Sequence, residues 1–413
     1  MRKKLIIISD HAMTTSGVAT QSRHLIEGLL ETQKYDIVQL GAAVRHQNYM
    51  TQDITDHFKI IPCNGFGNKD IIRSLLVKEK PDAMIIFTDP RFFEHIFEME
   101  DEIHQVCPIM YWHVWDNRPT PYYNKKYYDA VDKVIAISKL TEAVCKDIVP
   151  EKTVYIPHTL PKDVYFELPE DRIKTCKLNT LGESRKDNFI ALWLNRNSRR
   201  KRAADVLKAW QIFLFNLDNK YKRKDATLIM HTNPEDSQGT NLLEIAKHLD
   251  ILDNICFSDQ TATYEQINVL HNISDVCLNI SYAEGFGLTT LESMQVGNPI
   301  IATTTGGLTS QVIDYTDGSH NGIPLTPKIK TLSGSQDVHY IYEDYVSVED
   351  TAYALLEMYE TGKEKRKELG QKCKKYIERE FNYKKMIESW DREIEYILST
   401  WKENYNRITL EEI

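Results

Sequence analysis

With 413 residues the chain is too long for one ordinary core and should divide into two or three domains. Its 42% hydrophobic and 27% charged residues are a globular balance, and no run approaches the ~18 apolar residues of a membrane span. A net charge of −9 argues against nucleic-acid binding over the whole surface, and seven singly scattered cysteines argue against a disulfide framework or a structural zinc site.

The opening "MRKKLIIISDHAM" is basic and then apolar, but the apolar run stops after Ile8, short of a secretory leader, so a cytoplasmic location is expected. "KLIIIS" reads as a first strand. In "SGVATQSRHLIEGLLET", Val18, Ser22, Leu25, Ile26, Leu29 and Leu30 recur at helical spacing. The runs "YDIVQLG", "AMIIFT", "CPIMYW" and "KVIAIS" follow, separated by helical segments or loops, which is the rhythm of a doubly wound parallel sheet. Pro161–Asn188 breaks that rhythm with charge, two prolines and little apolar periodicity, and reads as a linker. The alternation then restarts with "FIALWLN", "ATLIMH", "NICFS", "SDVCLNI" and "NPIIAT", and from about Tyr340 the tail reads as helical. In open α/β sheets of this kind ligands sit beyond the carboxyl ends of the strands.

The stretch "SYAEGFGLTTLESMQVG" joins a buried strand to a helix through a glycine turn and sets Glu284 and Glu292 eight residues apart. Gly285 and Gly287 let backbone approach a ligand closely, and the helix start offers unpaired N–H groups and a positive dipole end, a good seat for a diphosphate. The two carboxylates can then grip different ends of one extended molecule. Alternatively, both glutamates merely suit a helix N-terminus.

The whole constellation resembles the retaining "group 1" glycosyltransferases, of the glycosyltransferase family four type, with their E-x7-E motif. "SYAEGFGLTTLESMQVGNPIIATTTGG" is similar to the family signature almost residue for residue, and "SGVATQSRHLIEGL", "VDKVIAISKLTEAV" and "LWLNRNSRRKRAADVLKAW" resemble further family segments, over residues 1 to about 390. The resemblance implies a GT-B architecture, with two Rossmann-like doubly wound parallel-sheet domains facing across a cleft and a C-terminal helix crossing back. The expected divisions are an acceptor-side domain at 1–165, a linker at 166–187, a nucleotide-sugar domain at 188–385 and the returning helix at 386–413.

By the same resemblance, Glu284 holds donor sugar hydroxyls, Glu292 holds ribose hydroxyls, and Gly17 with the first loop approaches the diphosphate and the sugar. Arg196 and Lys201 neutralise the leaving diphosphate, with Arg202 as the alternative to Lys201. The backbone of Gly285, Phe286, Gly287 and Leu288, with Thr289, faces phosphate and sugar, and His113 lies close to the transferring carbon. The implied activity is retaining transfer of a sugar from a nucleotide sugar, UDP-linked first among the candidates, to a hydroxyl acceptor. No cofactor or metal is expected: no D-x-D pair occurs, and the cluster "RNSRRKR" supplies cations instead. Other readings of these features are a solvated charge run or a nucleic-acid patch for the basic cluster, and a satisfied core histidine for His113.

Between Tyr111 and Tyr128 seven aromatics crowd around Arg118, Lys125 and Lys126. Trp112, Trp115, Asp116, Asn117 and Arg118 are the acceptor-side candidates, the rings suiting stacking on a sugar or a nucleobase unless they simply fill a core. The stretch resembles a subgroup of these transferases found in large tailed phages, which implies one possible acceptor, a hydroxymethylated pyrimidine in DNA. Departures from the family pattern are "IMHTNP", where a glycine-rich turn is usual, and Ser310–Gln311, where an acid is usual. The rival readings are a glycosidase using the glutamate pair, and a nucleotide-sugar binder or epimerase without transfer.

Overall fold

The computed structural model describes residues 2–404, and the chain forms two compact units. The first takes Met1–Thr159, Ser335–His339 and the described part of Tyr383–Ile413. Its strands are β1 (Lys3–Asp10), β2 (Tyr35–Ala42), β3 (Gln52–Thr55), β4 (Phe58–Pro62), β5 (Ala83–Thr88), β6 (Ile109–His113), β7 (Lys133–Ala136) and β8 (Thr153–Tyr155), in the order β3-β4-β2-β1-β5-β6-β7-β8. All pairings are parallel except β3 with β4. The chain builds outward from β1 through β2 and β4, then crosses to the other side of β1 with β5. The strand order therefore reverses between β1 and β5.

The Gly17–Glu31 helix starts where expected because Ser16 caps it, its hydroxyl accepting from the Ala19 N–H at 3.0 Å. Leu25, Ile26 and Leu29 are its buried face. The Tyr383–Asn404 helix docks on the same unit: the Tyr35 hydroxyl donates to Asp391 at 2.7 Å, and Trp390 meets Trp112 edge-on. A Cβ at Gly28 would lie 2.2 Å from Cδ1 of Ile387, so the glycine leaves the space that this side chain fills. The expected span of the returning helix runs on to residue 413, of which 405–413 lie outside the described residues.

The second unit, Leu160–Gly334 with Tyr340–Asn382, holds a six-stranded parallel sheet. Its strands are β9 (Phe189–Leu194), β10 (Ala226–His231), β11 (Ile255–Ser258), β12 (Val276–Asn279), β13 (Ile300–Thr303) and β14 (Gly322–Leu325), ordered β11-β10-β9-β12-β13-β14. Here the order reverses between β9 and β12. Trp193, Trp210, Phe213, Leu278 and Ile301 are among its core side chains.

Two segments differ from expectation. The stretch read as a linker carries the Glu170–Leu181 helix and belongs to the second unit. Asn268 and Asn272 pin it by accepting from the Phe166 and Leu168 N–H groups at 3.1 and 2.7 Å. The tail is not helical from Tyr340, because β16 (Ile341–Tyr345) first pairs antiparallel with β15 (Ile329–Ser333), and helix resumes at Val348.

Candidate active site

Two loops leave the carboxyl ends of the neighbouring strands β9 and β12, where the second sheet reverses its order, and they meet there. After β9, Arg199–Lys201 form one 3-10 turn, ended by Arg202 in a left-handed conformation with φ +56°. After β12, Tyr282–Gly287 form the glycine turn. The loops are tied by the Tyr282 N–H donating to the Arg200 carbonyl at 3.2 Å and by Arg200 Nη1 donating to the Ala283 carbonyl at 2.7 Å.

The tight turn sends four consecutive cations in different directions. Arg199 forms a fork with Glu343 on β16 at 3.1 and 3.0 Å and lies over the Tyr282 ring. Arg200 Nη1 stands 3.2 Å from Glu284 Oε1, and Lys201 Nζ is bonded to Glu284 Oε2. Arg202 turns away to Asp205 at 2.8 Å and to the Val346 carbonyl at 3.0 Å. Of the two alternatives for the second cation, then, Lys201 reaches Glu284 and Arg202 is occupied elsewhere. Arg196 is not beside Glu284 either: its side chain is 60% exposed and paired with Asp236 at 2.9 Å. Arg200, which was not among the expected site residues, is the arginine that stands beside Glu284.

Glu284 is buried, and burial pushes its pKa up, but Arg200 and Lys201 outweigh burial and hold it at about 2, against an ordinary 4.5. It is therefore a carboxylate throughout the neutral range, an acceptor of hydrogen bonds and not a proton donor. Glu292, on the Leu288–Val296 helix, is buried apart from that cluster and lies 3.1 Å from Nε2 of the fully buried His271. His271 escaped the sequence reading because nothing in "VLHNIS" marks it.

The turn between the two glutamates is held from beneath. Gly287 takes φ +94° as the helix N-cap, and a Cβ there would lie 2.5 Å from Leu308. No side chain caps this helix, so its first N–H groups have no side-chain acceptor. Gln311 is fully buried, its amide donating to the Phe286 and Gly287 carbonyls at 2.8 and 3.2 Å and its carbonyl accepting from Thr290 at 2.6 Å. The departure noted at Ser310–Gln311 is thus a clamp under the turn. The Gly307 N–H donates to the Glu284 carbonyl at 2.8 Å, fastening the "TTTGG" loop against it, and Gly285 to Gly287 are buried. Leu288 and Thr289 are half-buried at the helix start. Among the described residues no group of three His, Cys, Asp or Glu side chains gathers to hold a metal ion.

In the first unit Gly17 opens its helix at the exposed end of the β1 loop. His113 requires a correction. It is fully buried at the end of β6, its Nδ1 2.8 Å from the Tyr111 hydroxyl and its Nε2 2.9 Å from the Tyr128 hydroxyl, and burial lowers its pKa to about 3. Both nitrogens are taken, so this is a core histidine and not a group aimed at a sugar.

The aromatic stretch is corrected in the same way. Trp112 is stacked on Phe87 with centroids 3.8 Å apart, and Trp115, Tyr111, Tyr127 and Tyr128 are all buried. β6 is a central strand covered on both faces, so alternate residues find no solvent on either side. Asn117 is buried and accepts from the Arg118 N–H, Asp116 is half-buried, and Arg118 is exposed beside Asp147 at 3.3 Å. Of the seven rings expected to offer a stacking surface, these five fill the core, whereas Tyr122 is exposed and Tyr123 half-buried.

Two parallel-sheet Rossmann-like units and a long C-terminal helix define the GT-B fold. A sucrose-phosphate synthase from Thermosynechococcus elongatus superposes with TM-score 0.74 at 15% identity, over 96% of this chain and all of that one. The Anabaena HepE protein in complex with UDP and glucose superposes with TM-score 0.68 at 14% identity, over 96% of this chain and all of that one. Residues 181–332 match the family model described as "Glycosyl transferases group 1". N-acetyl-alpha-D-glucosaminyl L-malate synthase from Bacillus anthracis is 30% identical over 172 residues, 42% of this chain and 39% of that one. The chain thus matches less than half the length of the curated relatives. No helix among the described residues is long and apolar enough to cross a membrane.

Proposed function

We propose that this chain is a retaining, metal-independent glycosyltransferase that moves a sugar from a UDP-sugar to a hydroxyl acceptor. The observation that carries the reading is the buried, ionised Glu284 gripped by Arg200 and Lys201 beside an uncapped helix start. The group 1 match over this segment and the UDP and glucose bound by HepE support the choice of donor.

In the reaction the bond from the anomeric carbon to the diphosphate oxygen breaks, and negative charge grows on the departing diphosphate. Lys201, Arg200 and the N–H groups at Leu288 and Thr289 stabilise that charge, and they are already oriented before it develops. Glu284 accepts from hydroxyls of the transferring sugar, and Glu292, oriented by His271, accepts from the ribose. The acceptor oxygen bonds to the anomeric carbon on the face the diphosphate leaves, and its proton passes to the departing phosphate. A glycosidase would need one carboxyl kept protonated near neutral pH. Glu284, held at about 2, lies on the wrong side for that role.

The test is donor binding followed by transfer. A bound UDP-sugar at 100 times its dissociation constant should stabilise the protein by about 2.7 kcal/mol in a thermal-shift series. Glu292→Ala should mainly weaken that binding, Glu284→Ala should mainly lower turnover, and a chelator should leave activity intact. Absence of any shift across UDP-, GDP- and ADP-sugars overturns the proposal, and complete loss of activity with chelator overturns its metal-free part. Binding without hydrolysis or transfer would make the chain a nucleotide-sugar binder.

A further inference from the structure

The turn that carries the cations of the site is gripped by a strand outside the parallel sheet. β16 forms a separate two-stranded sheet with β15 and lies beyond residue 332, where the match to the family model ends. It reaches both ends of the Arg199–Arg202 stretch. At the near end Glu343 takes the Arg199 fork, and the Tyr345 hydroxyl accepts from the same guanidinium at 3.3 Å while donating to Glu343. At the far end Arg202 lies over the Tyr345 ring, 5.2 Å from its centroid, and donates to the Val346 carbonyl. Between these two anchors stand Arg200 and Lys201, the cations on Glu284. We propose that Glu343 is a positioning residue for sugar transfer, fixing the turn through Arg199 so that Arg200 and Lys201 face the diphosphate, an inference that rests on the glycosyltransferase reading above.

The turn needs such a hold. Four consecutive cations repel one another, and a single 3-10 turn is a weak frame, closed here by the Lys201 N–H on the Ser198 carbonyl and the Arg202 N–H on the Arg199 carbonyl. Glu343 meets the need from a strand, a stiffer mount than a loop, and its side chain is only 7% exposed. Burial pushes its carboxyl up, but the bonds from Tyr345 and Arg199 outweigh burial and lower it, so it stays ionised.

The strand is fastened in turn to the loops around it. The Asp344 N–H donates to the Tyr282 carbonyl at 2.7 Å, and the buried Asp344 carboxylate accepts from the Thr305 hydroxyl at 2.8 Å and pairs with Lys330 at 3.1 Å. Tyr282 closes the circuit: its hydroxyl accepts from Arg199 at 3.1 Å, and its ring lies 5.4 Å from that of Tyr345. Cations oriented before charge develops stabilise it without reorganising, and a displacement of about 1 Å caused away from the chemistry can cost about a hundredfold in rate.

Calorimetry with inorganic pyrophosphate reads the turn without any donor, and turnover of a UDP-sugar reads the coupled reaction. The sign of the effect separates positioning from simple electrostatics. Glu343→Gln removes a negative charge beside the cations, which alone strengthens anion binding, and it frees Arg199, which strengthens it further if Arg199 itself touches the diphosphate. Positioning requires the opposite: pyrophosphate affinity and kcat should each fall about tenfold or more. Arg199→Ala, at a side chain 69% exposed and so of little consequence for folding, should act the same way. In a Lys201→Ala background Glu343→Gln should cost much less than it does alone, because a cation it places is gone. Unchanged or tighter pyrophosphate binding in Glu343→Gln, or a full further loss in the Lys201→Ala background, overturns the inference. If UDP-sugars bind and turn over while both single variants match wild type, the positioning role falls and the glycosyltransferase reading stands. If both variants lose pyrophosphate but wild type takes no nucleotide sugar, that reading falls and the hold of β16 on the turn stands.

Discussion

Glu284→Gln isolates the ion cluster at the mouth of β9 and β12. A folded pKa of about 2 below an unfolded 4.5 means the unfolded chain takes up the proton first as pH falls. The stabilisation from Glu284 is complete above the unfolded value and is lost as pH drops through the folded one. At about 1.4 kcal/mol per pKa unit, the distance between the two values corresponds to about 3 kcal/mol at neutral pH. Glutamine removes that contribution and takes the carboxylate charge away from Lys201, which is only 13% exposed, so the deficit at pH 7 should be about 3 kcal/mol. Urea unfolding of both proteins at pH 7 and pH 3.5 measures the difference directly. The wild-type advantage should shrink by about 1.4 kcal/mol over the unit below 4.5, because only the wild type carries this group. An advantage of equal size at both pH values would refute the argument that Arg200 and Lys201 hold Glu284 ionised.

Gly287→Ala forces a Cβ to within 2.5 Å of Leu308 at φ +94° and should cost about 2–4 kcal/mol, read by urea unfolding; a neutral result would mean the turn is not fixed. Gln311→Leu keeps the volume but removes the donor to the Phe286 carbonyl and one of the partners of the Gly287 carbonyl and Thr290 hydroxyl, which still bond each other, so about 1–3 kcal/mol should be lost, with donor affinity falling alongside. For His113 the folded value of about 3 lies below the ordinary 6.5, so its stabilisation is present above 6.5 and declines as pH falls towards 3. His113→Gln should flatten stability between pH 6.5 and 5 relative to wild type and leave donor affinity unchanged; lost turnover with an unaltered stability profile would restore the histidine to the active site.

The regular parts of this fold were open to reading because apolar runs and helical spacing are local. β1, β2, β5 to β7 and β9 to β13 stand where the runs occur, and the glycine turn with its two glutamates stands where the E-x7-E spacing put it. What could not be read depended on contacts between distant segments. That Arg200, and not Arg196, joins Lys201 on Glu284 follows from the left-handed residue at Arg202 and from β16 drawing Arg199 aside to Glu343. His113 looked available because a strand ends there, yet Tyr128, fifteen residues on, closes its second nitrogen. The Glu170–Leu181 helix resembled a linker because Leu181 alone in it is buried, and asparagines about a hundred residues later hold its approach.

Position in the sheet separates two charge clusters that composition cannot tell apart. In the first unit Glu79, its side chain 4% exposed, lies between Lys4 and Lys59 at 3.4 and 2.8 Å, much as Glu284 lies between Arg200 and Lys201. Burial pushes Glu79 up, but Lys59 and Lys4 win and its pKa is lowered, so its stabilisation is also present above the ordinary carboxylate value and lost as pH falls. Lys4 and Lys59, however, open β1 and β4, so this cluster sits at the amino edge of its sheet, opposite the end where such sheets bind ligands. Glu79→Gln should therefore narrow the stability gap with falling pH just as Glu284→Gln does, and leave UDP-sugar affinity and turnover at wild-type values. Buried ion pairs are often replaceable without loss of stability, so Glu79, Lys4 and Lys59 should also accept an apolar replacement set with activity retained. Loss of donor affinity in either Glu79 variant, with the fold intact by circular dichroism, would show that edge position does not distinguish a functional charge cluster from a structural one.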